Sequence, residues 1–322
     1  MKEIRFVQAI NEALEEELNR DDKVYIIGED VQAGTFGVTT GLVQKFGPER
    51  IMDTPLSETV IAGVAVGSAL TGYRPVAEFM FADFMYVAGD EIFAKAAKWR
   101  FIHGGTVELP LVFMASMGGY AKLGAEHSQS PESIFMHTPG LKLAVPSTPY
   151  DAKGLMKTAI RDNNPVVYLF HKRLLGLKGE IPEEEYLVPF GQADIKREGT
   201  DITIVATGMM VHFALNVAKE LEEKISVEVI DPRTLEPLDI DKIIESVKKT
   251  GRVIVVDEDT KRCGVSSEIM AQIMELAFDY LDAPIQRIAA ANYPIPGGHM
   301  EDYVLPQIKD IKAAVEAMAG SK

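Results

Sequence analysis

Val24-Tyr-Ile-Ile-Gly-Glu-Asp30 is a continuous apolar run that ends in a glycine and two acids. A strand with one face in water alternates apolar and polar residues, whereas a strand covered on both faces does not, and unbroken runs of this kind belong to parallel sheets packed between helices. Working outward, further strands are read at 74–79, 109–115, 141–145 and 166–170, and again at 202–207, 227–231, 253–257 and 285–289. Between them lie stretches with helical spacing: 1–20, with Phe6, Val7, Ile10, Leu14 and Leu18 on one face, then 57–72, 84–101, 149–161, 209–222, 239–249, 264–281 and 302–318. Strand and helix alternate as right-handed crossover units require, so the spacing predicts an α/β fold made of two parallel-sheet domains. The period fails between 172 and 199, where Gly, Pro and Glu accumulate. That stretch reads as a linker, with one domain over 1–190 and a second over 191–322.

Composition narrows the function classes. At 322 residues and 47% apolar, the chain is long enough for two domains with separate cores. Basic residues number 33 and acidic ones 48, a net charge of −15 spread over many helix faces. Nucleic acid and anionic membrane are therefore disfavoured as partners. Cys263 is the single cysteine, which excludes an internal disulfide framework and fits a reducing, cytoplasmic location. Residues 1–20 are too charged for a signal peptide and too acidic for a transit peptide, and the apolar run 59–70 is too short to span a membrane.

The stretch Asp53-Thr-Pro-Leu-Ser-Glu58 leads into the small-residue run from Thr59 to Gly72. Pro55 keeps the residue before it extended, and Ser57 is placed to cap a helix that opens with Glu58. Complementing the helix dipole is the commoner use of such an acid. The helix carries almost no other charge, however, so it is expected to be buried, and a buried carboxyl needs a partner or a task. Gly63 and Gly67, four apart, share a face and allow another backbone to come close, either within the chain or between subunits.

Other residues invite a chemical reading beside a plainer one. His127 stands in a Gly- and Ser-rich stretch after a strand, flanked by Glu126 and Gln129, and its ordinary pKa of about 6.5 suits proton transfer near neutrality. Neither zinc-binding histidine spacing nor G-x-S-x-G occurs. Phe79, Phe81 and Phe84 are core residues on burial statistics, or a flat surface for a heterocycle. At 159–165 a helix ends before Pro165, and its free carbonyls with Asp162 and Asn164 serve either as a cap or as a seat for a monovalent ion.

Taken together, 53–58, 63–67, 79–84, 127–131, 146–154, 160–167, 231–239 and 249–258 resemble the β subunit of the thiamin-diphosphate-dependent first component of the 2-oxo acid dehydrogenase complexes. The resemblance runs over nearly the whole chain and implies a transketolase-like fold, with a pyrimidine-binding domain followed by a domain used in assembly. It makes Glu58 the acid that bonds the aminopyrimidine ring nitrogen of thiamin diphosphate and so promotes formation of the reactive ylid; burial would keep that carboxyl able to donate a proton. Met80 and Phe84 then contact the pyrimidine, and His127 serves transfer of the acyl group to a lipoyl group. Leu111, Ala159, Ile160, Asp162 and Asn164 match a structural potassium site, and Gly63 and Gly67 match a subunit contact.

One departure is informative. The magnesium-diphosphate motif Gly-Asp-Gly, with an Asn-Asn pair some way on, is missing: Gly89-Asp90 is followed by Glu91, and Asn163-Asn164 lies far off. The resemblance implies that an α subunit supplies that half of the site and holds magnesium, giving an α2β2 heterotetramer inactive without it. A lipoyl acyltransferase and a dihydrolipoyl dehydrogenase complete the implied complex. The stretches 171–182 and 255–263 lean towards acetoin dehydrogenase, with pyruvate and branched-chain 2-oxo acid dehydrogenases as the alternatives. A transketolase-type transferase would need its own Gly-Asp-Gly, and a noncatalytic scaffold of the same fold would tolerate loss of Glu58.

Overall fold

In the computed structural model, which describes residues 1–320, the chain divides into two compact units. The first comprises Met1–Met117 and Ile134–Phe190; the second comprises Gly118–Ser133 and the residues from Gly191 onward. Gly118–Ser133, read from sequence as part of the first domain, thus clusters with the second unit.

Up to Ile181 the elements are β1 (Lys2–Arg5), α1 (Phe6–Arg20), β2 (Val24–Gly28), α2 (Leu42–Phe46), β3 (Ile51–Asp53), α3 (Glu58–Ala69), β4 (Arg74–Phe81), α4 (Ala97–Ile102), β5 (Val112–Met117), α5 (Glu132–Met136), β6 (Lys142–Ala144), α6 (Pro149–Arg161), β7 (Val166–His171) and β8 (Lys178–Ile181). Six strands of the first unit pair in parallel in the order β6-β7-β5-β4-β2-β3. Every residue of β2, β5 and β7 is buried, as their unbroken apolar runs require. The first four residues after Met1 form a strand rather than the start of the helix. Ile4 alone among them is buried, and β1 pairs antiparallel with β8, inside the stretch read as linker. The expected helix over 84–101 is broken into a 3-10 turn (Ala82–Tyr86), a π-helical turn (Asp90–Ala96) and α4, with Gly89, a poor helix former, at the junction.

Helix α1 buries Phe6, Ala9, Ile10, Ala13, Leu14 and Leu18, and it packs against α6. Thr148 caps α6 by accepting from the Asp151 N–H, and Pro149 occupies the first turn, where a missing N–H costs nothing. Glu17, fully buried on α1, receives Nε and Nη2 of Arg161 at 3.0 and 2.6 Å and Nε of Arg20 at 2.6 Å. Lys153 and Lys157 of α6 reach Glu16 at 2.6 Å each.

The second unit contains β9 (Asp194–Arg197), β10 (Ile202–Ala206), α7 (Met209–Glu220), β11 (Val227–Asp231), β12 (Thr234–Glu236), α8 (Ile240–Thr250), β13 (Val253–Thr260), α9 (Val265–Ala277), β14 (Gln286–Ala290) and α10 (Ile308–Gly320). Its five-stranded sheet runs β14-β13-β10-β11-β9 and is parallel except at β9, a half-buried antiparallel edge strand of the kind parallel sheets often carry. Ile202, Ile204, Val227, Val229, Ile254 and Val256 form its core with residues of α7 and α10. Among the described residues no helix is long and apolar enough to cross a membrane.

Removing Glu17 takes the charge-assisted hydrogen bonds from Arg20 and Arg161, both partly exposed, and leaves Arg161 its pairing with Glu185. Glu17→Ala is expected to cost on the order of 2 kcal/mol, read as a lowered denaturant midpoint with an unchanged slope.

Candidate functional site

Parallel strands place ligands at their carboxyl ends. In the first unit β2 ends at Gly28, where a Cβ would lie 2.5 Å from the Glu78 carbonyl oxygen of β4, so only glycine permits this approach. Just beyond, Glu29, Asp30, Thr35, Phe36, Glu78 and Met80 line a small open cleft. The β4–β5 register slips between Phe79 and Phe81, which leaves Met80 as the extra residue of a bulge. Bulges re-aim side chains at the ends of sheets, and the Met80 carbonyl, lost to the ladder, accepts from the Ser116 hydroxyl instead.

Two acids of this edge hold their protons more tightly than usual. Burial, followed by the nearby charges of Glu29 and Asp30, pushes the Glu78 carboxyl up to about 8. Glu29 is raised by burial, then by Asp30 and Glu58, so Glu58 stands within electrostatic range of the pocket.

Glu58 opens α3, as the sequence predicts, although the local capping differs. The Ser57 hydroxyl donates to the Pro55 carbonyl at 2.9 Å and makes no cap bond to the helix. Thr59 Oγ1 donates to the Val87 carbonyl at 3.0 Å, tying the first turn of α3 to the segment that carries Phe84. Phe84 meets Phe81 edge to face at 5.5 Å, Phe81 meets Phe36 in the same way at 5.2 Å, and the Lys172 ammonium sits 5.7 Å from the Phe81 centroid. Glu58, Met80 and Phe84 thus lie on neighbouring elements of one unit, at one edge of its sheet.

The expectation of a wholly buried helix is corrected. Only Ile61, Ala62, Ala65, Val66 and Ala69 of α3 are buried. Glu58 is half-buried, and Val60 and Val64 are 56% and 41% exposed, with Leu56 just before them at 70%. An apolar helix has two faces, and one chain covers only one of these. Gly67 is exposed, with nothing within 4 Å of where a Cβ would stand; at Gly63 the nearest atom is the Glu91 side chain at 3.7 Å.

His127 lies in Gly118–Ser133, within the second unit. It is half-exposed; its N–H donates to the Gly124 carbonyl at 3.2 Å, and Gln129 Nε2 donates to the Ala125 carbonyl at 3.4 Å. Ser128 and Ser130 are buried beside it, whereas Glu126 points outward and is exposed.

The turn after α6 gathers Leu111, Ala159, Ile160, Asp162 and Asn164 near the strand starts, away from the Glu58 edge. Its carbonyls have donors. Leu111 accepts from the Val166 N–H at 3.0 Å, and Ala159 accepts from the Asp162 N–H at 3.3 Å. Arg74 Nη1 donates to the Ile160 and Asp162 carbonyls at 3.0 and 3.1 Å, and its Nη2 donates to Asn163 Oδ1 at 2.6 Å. Arg100 donates to Asn164 Oδ1 at 2.8 Å, and Lys142 pairs with the Asp162 carboxylate. Sequence reasoning missed Arg74 here, and missed Glu29 and Glu78 at the other edge. An acid inside the apolar run 74–79 was the available signal for Glu78.

Comparison with known proteins gives the class first. Residues 2–178 match the transketolase pyrimidine binding domain and residues 191–311 the transketolase C-terminal domain. A split-gene transketolase, solved as an inactive β4 tetramer, superposes with a TM-score of 0.81 at 26% identity over 98% of both chains. The chain is 47% identical to the 2-oxoisovalerate dehydrogenase subunit beta of Bacillus subtilis, over 99% of each sequence. It is 46% identical to the acetoin:2,6-dichlorophenolindophenol oxidoreductase subunit beta of Cupriavidus necator, over 98% of this chain and 97% of that one. It is 45% identical to the pyruvate dehydrogenase E1 component subunit beta of Staphylococcus epidermidis, over 97% of each. The chain belongs to the family of β subunits of the thiamin-diphosphate-dependent first components of 2-oxo acid dehydrogenase complexes.

The Glu78 proton has a thermodynamic consequence. The unfolded chain loses it near the ordinary 4.5, whereas the folded chain keeps it to about 8. Its contribution to stability is therefore complete below 4.5, falls as pH rises, and is gone above about 8, a swing on the order of a few kcal/mol. Glu78→Gln is expected to flatten the dependence of the unfolding free energy on pH between 5 and 8, measured by denaturant titration at each pH.

Proposed function

We propose that this chain is the β half of an oxidoreductase that cleaves its substrate on thiamin diphosphate and passes the acyl group to a lipoyl acceptor, with Glu58 as the essential acid. The observation that carries the reading is the placement of Glu58 on the first turn of α3, tied through Thr59 to the Phe84 segment and within electrostatic range of a pocket lined by Met80. A carboxyl, a thioether and an aromatic ring at one sheet edge suit a flat heterocycle with ring nitrogens. When bound, thiamin diphosphate supplies a nucleophilic carbon that breaks the bond beside the substrate carbonyl and carries the acyl fragment. Glu58 holds a proton against the pyrimidine ring nitrogen, and Met80 and Phe84 flank the ring with apolar surface. His127 moves a proton during transfer to the lipoyl group.

The rest of the cofactor site belongs to a second polypeptide in this reading. Gly-Asp-Gly does not occur in the sequence, so an α subunit holds magnesium and the diphosphate. The apolar stripe of Leu56, Val60 and Val64, with Gly63 and Gly67, supports close packing against another subunit in an α2β2 assembly. A lipoyl acyltransferase and a dihydrolipoyl dehydrogenase complete the complex, in the cytoplasm. A potassium ion on Leu111, Ala159, Ile160, Asp162 and Asn164 would share the Ile160 and Asp162 carbonyls with Arg74, since a carbonyl oxygen has a second lone pair, and its role would be structural.

Acetoin is the substrate we favour, on the stretches 171–182 and 255–263. A 2-oxo acid, branched or pyruvate, is the second reading, favoured by relatives named for those substrates at 47% and 45% identity. Turnover of acetoin, pyruvate and 2-oxoisovalerate by the reconstituted α and β subunits decides between them. Fast acetoin cleavage is the expected result, and rapid 2-oxo acid turnover without acetoin cleavage would reverse it. In the same assembly Glu58→Gln is expected to lower turnover by roughly a hundredfold or more; full activity would instead mark a scaffold that has lost the chemistry.

A further inference from the structure

Gly118–Ser133 contains an unusual run of backbone. Gly118, Tyr120, Lys122 and Gly124 all have positive φ, at 89°, 60°, 63° and 87°, and the residues between them do not. Tyr120 and Lys122 carry side chains that disfavour this conformation, so their surroundings must impose it. Alternating φ of this kind turns backbone N–H groups towards a common concavity, which attracts an anion.

The chain fills it with carboxyl groups of its own. The Gly119 N–H donates to Glu258 Oε1, from the end of β13, and the Lys122 N–H donates to Glu301 Oε2 at 3.0 Å. Both acids are buried, Glu301 completely. Leu305 and the two acids crowd Gly119: a Cβ there would lie 2.3 Å from Leu305 Cδ1, 3.1 Å from Glu301 Oε1 and 3.4 Å from Glu258 Oε1, so a side chain would push Leu305 aside and press on the Glu301 carboxyl. Other contacts finish the attachment. The Tyr120 hydroxyl donates to the Pro306 carbonyl at 2.7 Å, its ring meets Phe213 at 5.4 Å, and Leu123 bridges to Gly297. The loop closes on itself where the Gly118 N–H donates to the Gln129 carbonyl at 2.9 Å, and His127 hangs between these anchors by its N–H to the Gly124 carbonyl.

The geometry points to Glu258 and Glu301 as positioning residues, whose carboxyl groups grip the N–H groups of Gly119 and Lys122 and so hold the loop in the shape that presents His127. This rests on the reading of His127 as a residue of acyl transfer. Glu258 and Glu301 do not touch the reacting atoms in this account; they act through the backbone.

The test pairs a local probe with a double-mutant cycle, on the full-length chain assembled with its α subunit. Trypsin reports the loop directly, because Lys122 and Leu123 are exposed and the bond between them is a cleavage site once the backbone is released. Glu301→Ala and Gly119→Ala are each expected to speed cleavage at Lys122 at least about tenfold while the thermal midpoint moves by only a few degrees. Acyl transfer to lipoamide is expected to fall about tenfold in kcat in Glu301→Ala, and to fall no further when Glu301→Ala is added to His127→Ala, since both changes disable one unit. Unchanged cleavage in both variants overturns the proposal, as does a full extra loss on top of His127→Ala, which marks a role not routed through His127. Should His127→Ala itself leave lipoamide transfer intact, the reading of His127 fails, and accelerated cleavage at Lys122 still supports the grip of the two acids on the loop.

Discussion

The close approach of β2 to β4 at Gly28 is the constraint on which the first unit's site depends. Parallel strands end together, and this approach, with the Glu78 carbonyl where a Cβ would stand, sets Glu29 and Asp30 directly beside the end of β4. Crowding three carboxyl groups into a partly dry edge is unfavourable if all are ionised. The chain resolves this by keeping protons, most firmly on Glu78. The same edge receives the first turn of α3, so Glu58 stands near a buried acid, Glu78, and two that reach solvent, Glu29 and Asp30. An edge of this kind suits a cofactor whose chemistry turns on the protonation of a ring nitrogen.

The two units hold their candidate site residues differently. In the first, Glu58, Met80 and Phe84 stand on regular elements or directly beside them, and a strand bulge sets the position of Met80. In the second, the segment that holds His127 has almost no secondary structure. Its backbone is instead fastened by buried carboxyl groups, a phenol and a short bridge. Arg74 performs the complementary task at the opposite edge of the first sheet, where its guanidinium binds two carbonyls of the turn after α6. Cation on carbonyl and carboxyl on N–H are the same device with the charges reversed.

Much of this was legible in the sequence. The unbroken runs at 24–30 and 166–170 identified covered parallel strands, and the helical stretch read at 149–161 coincides with α6. Glu58 was placed at a helix start by Pro55 and Ser57. What escaped was non-local. β1 and β8 are too short to show a period, and each exists because the other pairs with it. The bulge at Met80 is a property of β4 and β5 together. Arg74 reaches residues more than eighty positions away, and no spacing rule announces that. The half-exposure of Glu58 was misjudged because a helix with little charge looks buried, although the face it leaves open is apolar as well.

In the proposed function that open face and the half-buried acid belong together: the site would be shared, and this polypeptide would bring the proton-transfer half. The most direct test is a structure of the assembled α and β subunits with thiamin diphosphate bound. The account predicts a Glu58 carboxyl oxygen within hydrogen-bonding distance, about 2.7 Å, of the pyrimidine ring nitrogen, with Met80 and Phe84 against the ring and the diphosphate on the α chain. A pyrimidine ring bound elsewhere, with Glu58 facing solvent or another side chain, would contradict it.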